Sequence, residues 1–327
     1  MIRPKYILSV LVAGAAACLA TNASVLAAEE GVKLTQQEDH VRIEINGELF
    51  TEHIFKGANH VYFYPLLGPG GLRMTRDYPM VPDSKGEEHD HPHHRSLWFS
   101  HGAVNGVDCW SETAKAGKIL HSKFIEIKSG KEEGILRAEH RWVAPDGKVL
   151  CTDETTFRVY ARPNNERLFD FEITLQAPAD HEVLLGDTKE GTMACRVAET
   201  MRLTLGKKEK GQGHIVQSTG VRDDKTWGKR AEWCDYYGPV GGKTVGIAIF
   251  DHPSNPVFPT YWHVRDYGLF GANPFGLHDF EKKEPGAGNM TIAAGKSVTF
   301  KYRFYLHEGD EKQGKVAERY KEWTEKK

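Results

Sequence analysis

The stretch LRAEHRWVAPDGKVLCTDETTFRVY, residues 136–160, decides the fold class. Both of its halves alternate apolar and polar side chains, which is the pattern of a strand with one buried face. Between them stand Asp146 and Gly147, a turn pair because both residue types tolerate a positive φ. The stretch therefore predicts an antiparallel β-hairpin.

Outward from this hairpin, runs of the same kind recur, with further turn signals at Asn46-Gly47 and Gly241-Gly242. The runs cover residues 41–45, 124–127, 168–175, 193–205, 244–250 and 297–306. Long strands close together in sequence favour antiparallel pairing in a sandwich over βαβ units. The fold class predicted is all-β, a large antiparallel β-sandwich.

Only the carboxyl-terminal tail has the spacing of a helix. In residues 311–326, the side chains of Val316, Ala317, Tyr320 and Trp323 recur every three or four positions among charged residues. This spacing gives one apolar stripe along a helix. We expect a short helix that docks on the sandwich.

The charge balance and the lengths of the apolar runs argue against two classes of partner. The 327 residues include 43 basic and 45 acidic side chains, for a formal net charge of −2. Without a field of one sign, nucleic-acid binding is not expected. After the amino-terminal segment no apolar run approaches the roughly 20 residues of a spanning helix, so no membrane span is expected there.

The amino terminus has the pattern of a signal peptide. Arg3 and Lys5 precede an apolar stretch over residues 7–20, and small residues lead to an A-x-A-like cleavage site near Ala27 or Ala28. The expected organisation is a signal peptide over residues 1–28 and one β-sandwich domain over residues 29–327. The expected location is the periplasm or outside the cell.

Export raises the question of disulfides. The mature chain would keep four cysteines, namely Cys109, Cys151, Cys195 and Cys234. An even number in an oxidising compartment permits disulfides. Their spacings are wide, however, and a domain of this size does not depend on disulfides. We expect buried free thiols.

The strongest chemical signal is EEHDHPHHRSLWFSHG, residues 87–102, in which five of the 16 histidines fall within 13 positions. Imidazole transfers protons and binds metals near neutral pH. His91 and His93 are two positions apart and would share a face, with His101 joining them. Three interpretations stay open: an acid–base and binding site, a divalent-metal site on His91, His93 and His101, and a structural loop.

Nearby segments add carboxylates, aromatic rings and guanidinium groups. A flat indole beside polar groups suits a sugar ring, and His263 and Arg265 share a strand face that suits an anionic or polyhydroxylated ligand. The candidate proton-transfer residues are His93, His94, His101, Asp108, Glu190 and Glu199. The candidate substrate-binding residues are Arg95, Trp110, His263, Arg265 and His278.

Several of these segments resemble a known family. HPHHR (residues 91–95), LWF (97–99), NGVD (105–108), WHVR (262–265) and NPFG (273–276) are similar to motifs of the soluble bacterial family labelled "methane oxygenase PmoA". Ser96 departs from the glycine expected after the arginine. The resemblance implies a galactose-mutarotase-like β-supersandwich and carbohydrate chemistry. It does not imply methane oxidation, because the monooxygenase subunit of that name is an integral membrane protein.

The predicted function is therefore that of an exported carbohydrate-active protein, an enzyme of saccharide breakdown or epimerisation that uses histidine and carboxylate acid–base chemistry. Its partner would be a carbohydrate or another small polyhydroxylated ligand; the sequence assigns no definite cofactor and leaves a divalent metal open. One alternative is a metal-dependent enzyme with a divalent ion at the histidines. The other is a glycan-binding protein without catalysis. Nucleotide-binding and serine-hydrolase motifs are absent from the sequence.

Overall fold

The computed structural model describes Met1, residues 30–206 and residues 209–325. The expected signal peptide, residues 1–28, lies outside this part of the chain except for Met1. Two eight-stranded sheets pack against each other, and one apolar core draws side chains from both. Within the described residues no helix is long and apolar enough to cross a membrane.

The structure contains twenty strands and two α-helices in its described part. In chain order the strands are β1 (Val32–Gln36), β2 (His40–Ile45), β3 (Glu48–Ile54), β4 (Tyr62–Phe63), β5 (Leu97–His101), β6 (Lys118–Lys128), β7 (Glu133–Val143), β8 (Val149–Tyr160), β9 (Glu166–Gln176), β10 (Val183–Leu185), β11 (Gly191–Arg196), β12 (Thr204–Leu205), β13 (Glu209–Lys210), β14 (His214–Gln217), β15 (Trp233–Val240), β16 (Lys243–Asp251), β17 (Tyr261–Val264), β18 (Leu269–Asn273), β19 (Met290–Ile292) and β20 (Ser297–Glu308). The helices are α1 (Leu277–Glu281) and α2 (Val316–Thr324).

The strand order defines two large antiparallel sheets. The first sheet has the order β1-β2-β3-β4-β5-β11-β18-β17, and the second has the order β14-β15-β16-β20-β9-β8-β7-β6. β10 pairs with β19, and β12 pairs with β13, in two small additional sheets. The predicted all-β antiparallel sandwich is confirmed.

The hairpin that led to this prediction is formed by β7 and β8, with Leu136 opposite Phe157. At its turn Gly147 has a φ of 90°. The Asp146 carboxylate accepts the Lys148 N–H at 2.9 Å. A side chain that bonds to the backbone two residues on is a common way for aspartate to stabilise a turn.

The carboxyl-terminal helix docks as predicted, although it covers Val316–Thr324 rather than the predicted residues 311–326. Val316 and Tyr320 are buried against the outer face of the second sheet, where the Tyr320 ring meets Phe250 at 5.6 Å. Lys315, with a φ of 54°, precedes the first helical residue. Ala317 is exposed and does not belong to the buried stripe.

Two other local predictions were wrong. The run 193–205 is not one strand, because β11 ends at Arg196 and a 3₁₀ turn follows over Glu199–Met201. There the Glu199 side chain pairs with Arg202 three positions later, a spacing that suits a helical turn. The tail is also not the only helix, since α1 covers Leu277–Glu281. Five residues are too few to produce a readable helical period.

The four cysteines Cys109, Cys151, Cys195 and Cys234 are buried and unpaired with one another. The expectation of free thiols is therefore confirmed. Burial in apolar surroundings raises the pKa of the Cys109 thiol to about 12 and also raises that of Cys195. Thiols of this kind are poor nucleophiles, so they serve packing.

Candidate functional site

The outer face of the first sheet, turned away from the sandwich core, holds most of the candidate residues. Side chains alternate along a strand. Leu97 and Phe99 of β5 therefore enter the core, while Trp98 faces outward. On β11 the same alternation buries Cys195 in the core and turns Arg196 outward. The histidine-rich loop lies over this outer face.

Asp90 attaches that loop to the sheet. Its carboxylate accepts hydrogen bonds from Arg76, from Arg196 at 2.9 Å and from Nδ1 of His91 at 2.7 Å. Arg76 also donates to the main-chain carbonyls of Glu88, Asp90 and His91. Burial alone would raise the pKa of Asp90, but the His91 hydrogen bond and the two guanidinium groups hold it well below its usual range.

Four rings form a column of nearly parallel planes above the sheet. Tyr267 and His91 lie 5.3 Å apart at 6°, His91 and His94 lie 4.7 Å apart at 7°, and His94 and Trp98 lie 5.3 Å apart at 22°. Arg196 contacts this column twice. Its Cζ is 4.9 Å from the Tyr267 centroid, and its Nη1 donates to Nδ1 of His94 at 3.1 Å.

His94 is the buried member of the histidine pair. Burial, followed by the charges of His93 and Arg196, lowers the pKa of His94 well below its usual value. The ring is therefore neutral at neutral pH, and its Nδ1 is occupied as an acceptor. These contacts suit a residue that positions its neighbours rather than one that exchanges protons with a ligand.

His93 has the opposite character. Its ring meets His94 edge-on at 4.5 Å and remains partly exposed. Within the described parts of the chain no residue hydrogen-bonds to its ring nitrogens. Burial, with a smaller contribution from His91, lowers the pKa of His93 to about 4, while Glu112 and Asp108 oppose the shift. At neutral pH His93 is thus a neutral imidazole with its nitrogens free to accept or relay a proton.

Arg95 is already paired within the protein. Its Nε donates to Glu112 at 2.5 Å and its Nη2 donates to the second Glu112 oxygen at 2.8 Å. The same guanidinium lies 5.5 Å from the Tyr62 ring centroid. This bidentate pair occupies the Nε/Nη2 fork that would otherwise match a substrate carboxylate. The structure therefore gives Arg95 an internal partner where the sequence predicted a substrate clamp.

The three candidate carboxylates differ in availability. Asp108 accepts the main-chain N–H groups of Trp110 and Ser111 at 2.8 and 3.0 Å and so stabilises a turn. Glu199 pairs with Arg202. Burial raises the pKa of Glu199, against the opposing charge of Arg202.

Glu190 is more exposed than Glu199 and, unlike Asp108, accepts no main-chain hydrogen bond from the described residues. Its side chain is 38% exposed and pairs with Lys189. It also lies close enough to Tyr267 for its charge to act on that phenol. Glu190 is therefore the carboxylate that a ligand over the ring column can reach most readily.

Trp110 does not present an open face to a sugar. The side chain is 2% exposed and packs against Trp98 at a centroid distance of 5.2 Å. The partly exposed rings of this surface include Tyr267 and Trp227. The sequence prediction that Trp110 binds substrate is thus at odds with its burial.

Beyond Tyr267 the site continues to Arg265 and His263, which share the outer face of the sheet edge as predicted. The Cζ atom of Arg265 lies 5.4 Å from the Tyr267 centroid and 5.7 Å from that of Trp227. Burial, then Arg265 and Lys189, lower the pKa of His263 to about 3. A cleft of about 220 Å³ opens beside Trp227 and Arg265.

Two predicted site residues lie elsewhere. His101 is 1% exposed on the opposite strand face to Trp98, where its ring contacts Phe275 at 4.4 Å and its Nε2 meets the Gly186 carbonyl at 2.9 Å. His278 is exposed on α1, where its Nδ1 lies 2.7 Å from the Lys283 carbonyl. The structure does not bring either residue to the ring column.

The metal interpretation required three convergent ligands. Over the described ranges no group of three or more His, Cys, Asp or Glu side chains is placed to hold a metal ion. His91 and His93 are close, at 5.8 Å between centroids, but His101 faces away from them. The predicted set of His91, His93 and His101 therefore does not form one site.

Three residues of this surface were missed from the sequence. Trp227 had a usable signal. It stands in the polar turn segment DDKTWGK, residues 223–229, which has no alternating strand pattern that would bury a tryptophan. Arg76 and His60 gave none. Both are buried through contacts with distant residues, His60 lying 3.7 Å from Glu112.

Comparison with known proteins places the chain in a family and gives distant structural likenesses. The model of DUF6807, a family of unknown function, matches residues 40–321. Nothing in the comparisons supports the PmoA label. No curated protein sequence matches.

Three solved structures illustrate the likenesses. A GalM/aldose epimerase homologue from C. elegans has 8% identity and a TM-score of 0.34, over 86% of this chain and 99% of its own. A polysaccharide lyase has 11% identity and a TM-score of 0.32. The match covers 86% of this chain but only 33% of the lyase. A 4-alpha-glucanotransferase from Thermococcus litoralis has 9% identity and a TM-score of 0.24, over 85% of this chain and 37% of its own. Scores this low carry no functional inference.

Proposed function

This chain belongs to DUF6807, a family of unknown function, and we propose that it is a carbohydrate-active enzyme in which His93 transfers a proton to or from the substrate. The observation that carries the proposal is the state of the His93 ring. It is neutral at neutral pH, partly exposed, and free of hydrogen bonds from the described residues around it. A general base needs this combination of an available lone pair and a reachable position.

The surroundings of His93 suit a polyhydroxylated ligand. Tyr267 and Trp227 offer partly exposed aromatic rings, on which the C–H face of a sugar packs. Between and beside them stand groups that bind hydroxyls, chiefly Arg265 and Glu190. Ligand sites commonly combine aromatic surface with a few polar groups in this way.

In the proposed reaction His93 and Glu190 divide the acid and base roles. His93 accepts a proton in its neutral form, and Glu190 is the accessible carboxylate for the complementary step. His94 and Asp90 position the loop that carries His93. Breakdown and epimerisation of a saccharide each use one group that donates a proton and one that accepts a proton. The signal-peptide pattern in the first 28 residues supports placing the reaction in the periplasm or outside the cell.

The test is turnover by the mature protein on defined probes. These are polysaccharides followed by release of reducing ends, and free hexose anomers followed by NMR exchange. We expect His93→Gln to lower kcat by at least about 100-fold, the usual contribution of a general base. We expect the acid limb of the wild-type kcat/KM profile to lie near pH 4.

The control is His252→Gln, at an imidazole that contacts Trp323 of α2 on the other sheet. This variant should keep wild-type turnover. Unchanged turnover in His93→Gln would refute the proposal, as would binding of a saccharide that the protein never converts.

A further inference from the structure

Arg265 differs from the other arginines around the site because it lacks an acidic partner. Each of Arg76, Arg95, Arg196 and Arg202 forms an ion pair with a glutamate or an aspartate. Over the residues that the structure describes, no carboxylate or other acceptor hydrogen-bonds to the Arg265 guanidinium. It is half-buried all the same.

Two aromatic rings hold the group instead. The guanidinium carbon lies 5.7 Å from the Trp227 centroid and 5.4 Å from that of Tyr267. Contacts of a cation with ring faces fix its position without using its N–H donors. Arg265 thus keeps a planar fork of donors, which matches the geometry of a carboxylate.

The local charges define what kind of anion fits. Arg265 and Lys189 both lower the pKa of His263, after burial, so two positive charges lie near that ring. The cleft beside Arg265 is also lined by Asp223, Asp224 and Asp266. Because these three carboxylates outnumber the guanidinium, an anion fits only where its charge lies directly on the Arg265 fork, and a single carboxylate is the smallest group that does so. Hydroxyl groups of a ligand fit beside these aspartates, since each hydroxyl can donate a hydrogen bond to a carboxylate oxygen.

Size narrows the ligand further. The cleft volume of about 220 Å³ is below the roughly 300–1,000 Å³ typical of sites for drug-sized ligands. It suits one sugar residue. A hexuronate has one carboxylate, which can pair with Arg265, and several hydroxyl groups, which can hydrogen-bond to the aspartates.

We infer that the Arg265 cleft binds the carboxylate of a hexuronate residue, so that the substrate of the proposed enzyme is an acidic saccharide. This inference rests on the proposed function for its connection to catalysis. The binding itself can be measured without any turnover.

The experiment compares binding of D-glucuronate and D-galacturonate with binding of their neutral methyl esters and of D-glucose and D-galactose, by calorimetry or ligand-observed NMR on the mature protein. We expect at least one uronate to bind at least ten-fold more tightly than its ester and its parent hexose. Because the ester comparison uses the wild-type protein, it remains decisive even if a variant fails to fold.

Variants then locate the contact. Arg265→Gln should abolish the preference for the charged sugar. Arg141→Gln, at an exposed arginine on β7 of the other sheet that also lacks an ion-pair partner among the described residues, should leave it intact. Equal binding of the uronate, its ester and its parent hexose would overturn the inference. So would the failure of both uronates to bind, or an Arg265→Gln variant that still prefers the uronate as strongly as the wild type does.

The two proposals fail separately. His93→Gln should bind the uronate as the wild type does, because His93 is not part of the Arg265 cleft. A charged-sugar preference that depends on Arg265, with turnover unaffected by His93→Gln, would leave the binding site standing and refute the catalytic role. Loss of turnover in His93→Gln, in a protein that shows no preference for the charged sugar, would support the catalytic role and refute the uronate site.

Discussion

The carboxylate of Asp90 accepts a hydrogen bond from Nη2 of Arg196 at 2.9 Å, which joins residues 106 positions apart. The second partner of the same carboxylate is Arg76, and both guanidinium groups are 0% exposed. A single aspartate is therefore the shared counter-ion of two buried arginines, and it holds the histidine loop on β11. The position of His93 depends on this contact, because His93 follows Asp90 by three residues.

Removing the Asp90 charge should destabilise the protein strongly. In Asp90→Asn the two buried guanidinium groups lose their counter-ion, and breaking a buried pair in this way costs about 3 kcal/mol. Urea unfolding would measure the loss. Asp39→Asn, at an exposed carboxylate paired only with His40, is the control and should leave the midpoint unchanged. A wild-type midpoint in Asp90→Asn would contradict this assignment.

How much the sequence could reveal depended on whether a contact is local. The β7–β8 hairpin was predictable because alternation and the Asp146-Gly147 turn lie within one short stretch. His263 and Arg265 were correctly placed on one face for the same reason, since two positions along a strand restore the side-chain direction. The partners of Arg95 and Arg196 were not predictable, because they come from distant loops.

The placement of His101 beside His93 failed for a definite backbone reason. Counting faces by alternation for His91, His93 and His101 requires an extended chain from the first of these residues to the last. His91 has a φ of 44° and Ser96 a φ of 57°, so the chain turns twice within this segment. Positive φ values are uncommon outside glycine, and although histidine adopts them more often than most residues, Ser96 gave no such signal.

Asp153 should be as important to the sandwich as Asp90 is to the loop. Its carboxylate accepts hydrogen bonds from Nδ1 of His140 at 2.8 Å, Nε1 of Trp142 at 2.7 Å and the Thr155 hydroxyl at 2.9 Å, all within the buried β7–β8 hairpin. Asp153→Asn turns an amide NH₂ toward a donor and should cost about 3 kcal/mol of unfolding free energy.

Two variants calibrate that experiment by urea unfolding. Thr155→Val removes one of the three donors and should cost only about 1 kcal/mol. Asp146→Asn, in the exposed turn of the same hairpin, should be neutral because asparagine also caps such a turn. If Asp153→Asn were no worse than Asp146→Asn, the carboxylate would not be the centre of this network.

The buried histidines should make the protein less stable in acid. Burial lowers the pKa of His101 to about 4, whereas an unfolded histidine titrates near 6.5. Between these values the unfolded chain binds the extra proton, so stability is complete above about pH 6.5 and falls as the pH decreases toward 4. His101→Gln, which can still donate to Gly186, should reduce the slope of unfolding free energy against pH by up to about 1.4 kcal/mol per unit.

The matched control for that slope is Phe275→Leu. It disturbs the same contact, since the rings of Phe275 and His101 lie 4.4 Å apart, but it removes no titrating group. It should lower stability by a similar amount at every pH from 4 to 7. Parallel curves for His101→Gln and the wild type would show that His101 does not titrate as its burial implies.

Counting thiols tests both the core and the expected processing at the amino terminus. Cys109, Cys151, Cys195 and Cys234 are buried and free, and burial raises the pKa of each thiol, so native protein should react with a disulfide reagent slowly or not at all. After denaturation without reductant, protein recovered from an exporting host should release four thiols. The sequence contains five cysteines, and the fifth, Cys18, lies in the segment expected to be removed. Five thiols would mean that this segment is retained, and two or none would mean that disulfides form where the structure has free, buried cysteines.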